Sequence, residues 1–298
     1  MRVRAMSCVT LLGTVVAGPV VAGCGGPSGD DAGADADAVA RRARQVAAAW
    51  EGSAAADAWR AGYHPMGDVI QLPRGGLRSE ADARAYRDRS FVRHGELPAT
   101  RAGEGRVTWA AGGSLTRPMT GAEDAYRSLS DGRVGDEPHL VVTGAKPGTM
   151  TLVTSRGPAT VPAWVFTLDG YTSPLKRAAV LPSVLPSPPI APARDVPVQL
   201  LGGLVGVAGD GRSATVVARH GACDDGPAVE VLETPRSVVL SSSVKQRESG
   251  GDCTKQAKLQ RVTVELARPV GDRVLLDAAS GRPIPYTPPH GPSPSWSR

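Results

Sequence analysis

Aromatic side chains are scarce in this chain: two Phe, five Trp and five Tyr make up 4% of its 298 residues. Val, Leu and Ala must therefore fill most of any core, and wherever aromatics do cluster they stand out. Lysine is rare beside arginine, and there are four cysteines, too few for a disulfide-dense scaffold. No C-x-x-C, H-x-H or H-E-x-x-H occurs, which removes the usual metal-ligand frameworks. The "GGSLT" around Ser114 lacks the second glycine of a nucleophile elbow, and no Ser-x-x-Lys stands in a setting that would activate it. "GEGRVTWAAGG" and "GVAGDG" lack the lysine and spacing of a phosphate loop and read as turns. No cofactor is implied. The net charge of +5 falls to +3 once Arg2 and Arg4 leave with the leader described next. That is too little for the basic face of a nucleic-acid binder, and allows only a mild attraction to anionic envelope polymers.

What is present begins with an address. Arg2 and Arg4 precede an apolar run from Met6 to Val21 that contains Gly13, Gly18 and Pro19. The run is shorter than the ~20 residues needed to span a bilayer and ends in small residues, so 1–23 reads as a signal peptide. Val21-Ala22-Gly23-Cys24 resembles the lipobox of bacterial lipoproteins, which implies that Cys24 is acylated and becomes the mature N-terminus. At about 0.8 kcal/mol per buried methylene, two or three acyl chains would hold the protein at the membrane, on its extracytoplasmic face. Residues 24–38, rich in Gly, Asp and Ala, read as a flexible tether. In an oxidising compartment Cys223 and Cys253 are the only pair left, and a disulfide between them is expected.

The rest of the chain reads as α+β: N-terminal helices with an antiparallel sheet, then a small all-β sandwich-like domain. Val39, Ala43, Val46 and Trp50 share one helical face. Ser53 can cap a second helix carrying Trp59, while Ser79-x-x-Asp82 and Thr120-x-x-Glu123 have capping-box spacing for two more. From Arg106 onward β-branched segments alternate with turn formers, and "TMTLVTSRG" with "ATVPAWVFTLDG" reads as a hairpin about Ser155-Arg156-Gly157-Pro158. Pro162 marks an edge or a bulge in that second strand. An α+β domain is expected over 39–180, a proline-rich linker over 181–195, a β domain over 196–288 and a disordered tail over 289–298. The alternative is a single domain crossed by one irregular strand.

"CDDGPAVEVLETPRSVVLSSSV", the second cysteine and "VTVELARPVGDRVLLDAASGRPIP" resemble a module of secreted actinobacterial lipoproteins, and "TSRGPATVPAWVFTLDG" resembles the segment that precedes it. The resemblance spans roughly half of the chain. It implies membership of an uncharacterised lipoprotein family with a disulfide-closed β module, and no activity.

His64, His94, His139, His220 and His290 are scattered, and His220 with Cys223 would matter only if the thiol were free. Glu123-Asp124 and Asp224-Asp225 read as solvated faces, because adjacent side chains diverge. Two features remain as candidate sites. Trp164 and Phe166 share a strand face near Tyr171, forming either core or a binding platform. Arg268, Asp272, Arg273 and Asp277 read as ion pairs at loop ends. The expected function is that of a lipid-anchored binding or interaction module, with the membrane and an envelope protein or polymer as partners. The alternatives are an envelope hydrolase with a site assembled from distant residues, or a surface sensor subunit.

Overall fold

A computed structural model describes residues 30–99, 103–130, 138–245 and 256–287. Cys24, the leader and the C-terminal tail lie outside the described residues. The fold is α+β. Among the described residues, four helices, α1 (Asp30–Trp50), α2 (Ala54–Ala61), α3 (Glu80–Arg87) and α4 (Ala122–Leu129), accompany thirteen strands. Seven strands form one mixed sheet: β1 (Ile70–Gln71), β2 (Phe91–Arg93), β3 (Glu104–Trp109), β4 (Ser114–Pro118), β5 (Leu140–Thr154), β6 (Gly157–Leu168) and β7 (Leu175–Ala178). Its one parallel pair among the described strands is β2 with β5.

The local signals act as their chemistry dictates. The Ser53 hydroxyl accepts the Ala56 N–H at the head of α2, and Ser79 accepts the Asp82 N–H at the head of α3. Removing such a cap costs about 1 kcal/mol. Ser79→Ala is therefore expected to lower the free energy of unfolding by that amount in a urea titration, and Ser79→Asp to restore it. At α4 the expectation is off by one residue: Gly121 is the N-cap, with no side-chain hydrogen bond, because the Thr120 hydroxyl donates instead to the Ala179 carbonyl. Helix α1 starts at Asp30, so part of the stretch read as a tether is helical. Alternating alanines favour that state.

Strand β6 runs beside β5 for its whole length. On its other side it pairs with β3 at Ala159 and Thr160, then with β7 from Ala163 to Phe166. Pro162 falls between these two partners. Its missing N–H is therefore not needed there, and its carbonyl accepts the Ala179 N–H at 2.9 Å.

The C-terminal region is sandwich-like, with two three-stranded sheets. One comprises β8 (Gly203–Val207), β9 (Ser213–Gly221) and β12 (Ala257–Glu265); the other comprises β10 (Pro227–Glu233), β11 (Ser237–Val244) and β13 (Val274–Asp277). Strand β11 is buried continuously from Ser237 to Ser242. One of its neighbours is β9 and another is α1, which lies across this sheet although it precedes the proline-rich segment in sequence. Val46, Trp50 and Trp59 thus share a core with Leu204, Val216, Val239 and Leu275. The buried Arg42 fastens the helix, donating from Nε to the Ala278 carbonyl at 2.8 Å and from Nη2 to the Ala191 carbonyl at 2.7 Å. Trp50 Nε1 adds a bond to the Gly281 carbonyl.

The proline-rich segment is strapped down along its course. Leu181 N–H donates to Pro118, Ser183 N–H to Tyr63 and Ala193 N–H to Ala279, while Leu185 and Ile190 pack on the core beneath α1.

The expected Cys223–Cys253 closure of the β module is corrected. Cys253 lies outside the described residues, and no disulfide joins two described residues to close this module. Among the described residues, closure comes from backbone pairing. The β9–β12 ladder runs from Ser213 opposite Glu265 to Gly221 opposite Ala257, and Asp225 and Gly226 exchange backbone bonds with Lys245. Cys223, in the turn after β9, is partly buried and engaged, not free.

Candidate functional site

The aromatic cluster lies in the interior. Trp164 is 4% exposed and Phe166 fully buried, both in a core with Leu140, Leu168 and Leu175. Trp164 Nε1 donates to the Thr120 carbonyl at 2.9 Å, tying the sheet to the entry of α4. Tyr171 is partly buried; its hydroxyl donates to Asp82 at 2.7 Å, and Arg78 stacks over its ring. The three aromatics thus brace α3 and α4 and form no open platform.

The loop-end acids and bases are structural too. Arg273, 4% exposed, pairs with Glu233 at 2.7 Å and donates to the Arg268 and Pro269 carbonyls. Asp277 accepts from the Ala279 and Ser280 N–H groups and the Ser280 hydroxyl, while burial pushes its carboxyl above the usual range. Arg268 bridges to the Thr234 carbonyl, and Asp272 is exposed. Glu123 and Asp124 pair with Arg93 and Arg127 at the surface, and Asp224 closes a turn onto the Gly221 N–H. No three His, Cys, Asp or Glu side chains cluster with metal-binding geometry among the described residues.

The fold brings together one pair that sequence reasoning set apart. His64 and Ser155 face each other across the Pro65–Thr154 bridge, and the Ser155 N–H donates to the His64 carbonyl. The imidazole stacks on Trp59 with ring centroids 4.1 Å apart. Both side chains are sealed from solvent, and neither ring nitrogen of His64 nor Ser155 Oγ has a hydrogen-bond partner among the described residues. Burial first, and the Arg117 charge second, hold the imidazole down to a pKa of about 4. The pair is close in space but is not a working base and nucleophile.

The feature that resembles a site lies where β7 meets α4. A cavity of about 470 Å³ opens there, its polar wall made by Arg89, Thr120, Asp124, Arg127, Ser128 and Arg177. Most of these groups already have partners. Arg89, at a positive φ of 56°, points Nη2 at the carbonyls of Arg127, Ser128 and Ser130, where the C-terminal dipole of α4 favours a cation. Arg127 pairs with Glu123 and Asp124, and Thr120 and Ser128 donate to backbone carbonyls.

Arg177 differs. It sits opposite Ile70 on β1 and Trp164 on β6, and its partly buried guanidinium makes no hydrogen bond to any described residue. Burial lowers its pKa, the Asp68 carboxylate opposes that shift, and Arg89 adds like-charge repulsion. The buried Tyr63 hydroxyl, also without a hydrogen-bond partner among the described residues, lies within the field of Arg177. Buried charges are ordinarily paired, so an open guanidinium lining a cavity marks a place for an anion. Sequence reasoning did not identify strand β7. The available signal was the alternation of Leu175, Arg177 and Ala179, which puts an arginine on an otherwise apolar face.

No family model, curated protein or solved structure matches this chain. The resemblance to an actinobacterial lipoprotein family is therefore withdrawn. Alternating β-branched residues and small polar turns recur in many exported β modules, so a likeness built on them discriminates poorly.

Proposed function

We propose that the chain is a lipid-anchored extracytoplasmic binding protein, attached through Cys24, that captures a small ligand in the cavity beside Arg177. The observation that carries the binding role is the open guanidinium in a concave, partly apolar cavity, the usual setting of a small-molecule site. The anchoring role rests on the basic leader and Val21-Ala22-Gly23-Cys24. Helix α1, exposed over residues 33–37, would hold the folded body off the bilayer as a short stalk. A hydrolytic role finds less support, since His64 and Ser155, brought together beside the Pro65–Thr154 bridge, are closed to substrate.

Two measurements test this reading. Mass spectrometry of the native N-terminal peptide should find acylated Cys24, and Cys24→Ser should move the protein from the membrane fraction into the soluble fraction. An unmodified Cys24 in membrane-bound protein would refute the anchor. Native mass spectrometry of protein extracted from cells should find a small molecule retained by wild type and absent after Arg177→Met. If wild type carries none and the purified chain binds no small-molecule probe in titration, the cavity is not a capture site.

A further inference from the structure

We infer that the ligand of this cavity is a monoanionic carboxylate on an apolar body, its carboxylate gripped by Arg177; this rests on the reading of the cavity as a capture site. Three observations define the class. The first is geometric. Arg177 keeps all its guanidinium donors unbonded among the described residues, and that planar fork matches a carboxylate in a bidentate pair. A purely structural residue here would be apolar, as Leu175 and Ala179 on the same face are.

The second observation is the charge balance. Arg127 is neutralised by Glu123 and Asp124, and Asp68 offsets part of the Arg177 charge. Arg89, bonded only to carbonyls, is left in excess. The surplus is of the order of a single positive charge, and Asp124 on the wall repels a second negative one. A dianion such as phosphate or a dicarboxylate is therefore disfavoured.

The third observation is the apolar part of the lining. Val69, Ala178, Val180, Leu181 and Pro182 form an apolar surface, of which Leu181 is 37% exposed. The volume of about 470 Å³ lies in the range of small-molecule sites and exceeds what a bare carboxylate would fill.

The probes are octanoate, octanol, octylamine, succinate and inorganic phosphate, titrated calorimetrically into the purified full chain. Octanoate is expected to bind at least about tenfold more tightly than each of the others, because a charge-assisted pair to a partly buried guanidinium is worth that factor or more. Arg177→Met should lose at least about tenfold of octanoate affinity and Arg177→Lys should fall between, which keeps the test alive if the methionine variant does not fold. Octanoate binding no tighter than octanol overturns the carboxylate, and succinate or phosphate binding as tightly overturns the monoanion. Unchanged octanoate affinity in both variants overturns Arg177 as the anchor. If extracted protein carries a small molecule while octanoate shows no preference, the ligand class fails and the capture site stands. If nothing is carried and no probe binds, the capture reading fails with it.

Discussion

Trp164→Ala is expected to lower the free energy of unfolding by about 3 to 5 kcal/mol, the usual cost of deleting a buried large aromatic. The ring is 4% exposed, stands opposite Pro147 on one side and Arg177 on the other, and holds α4 through the bond from Nε1 to Thr120. Its removal leaves a void beneath the helix that walls the cavity. Trp164→Phe keeps most of the apolar contact and loses the hydrogen bond, so its cost should be about 1 kcal/mol. Urea titrations of the three proteins would check the order. An alanine variant within 1 kcal/mol of wild type would mean that the ring carries no packing load.

The same residue shows where reading the sequence succeeds and stops. Alternation puts Trp164 and Phe166 on one face, and they share it. It cannot say what covers that face, because β6 is clad on both faces, by one cluster on the face of Ala159 and another on the face of Trp164. Ala159, Val161 and Ala163 pack with Tyr63 and Trp109, whereas Trp164, Phe166 and Leu168 pack under α3 and α4. A strand buried on both faces reads as apolar throughout, and Val165, on the face opposite Trp164, is buried too. Caps at Ser53 and Ser79 were readable because a hydroxyl and a backbone N–H three residues on settle the matter locally. Thr120 misleads because its hydroxyl bonds to Ala179, 59 residues away. The apolar face of α1 was evident, but its docking on β11 depends on contacts across some 190 residues of chain. Arg177 was missed for a related reason: its strand has only four residues, and an exposed and a buried arginine look alike until the neighbours are placed.

Acid should weaken the fold through His64 well before the carboxylates titrate fully. The imidazole has an ordinary pKa of 6.5 and is held down to about 4 when folded, so between those values the unfolded chain binds more protons than the native one. Stability then rises with pH across that window: the contribution is intact above pH 6.5 and is lost progressively as the pH falls toward 4. A shift of this size corresponds to about 3 kcal/mol. Stacking on Trp59 favours the imidazolium by ~0.5–2 kcal/mol, less than the penalty of burial beside the Arg117 charge, so the neutral ring prevails. Asp277 acts oppositely. Its raised pKa makes the native state hold a proton more tightly, so its contribution declines as pH rises above 3.8 and flattens the total curve. The term due to His64 is isolated by His64→Phe, which keeps the ring stack and cannot titrate. Whatever its absolute stability, its pH profile between 4 and 6.5 should lack the ~3 kcal/mol rise of wild type. Parallel profiles for the two proteins, measured by urea unfolding at half-unit intervals of pH, would show that His64 takes up its proton without opening the fold.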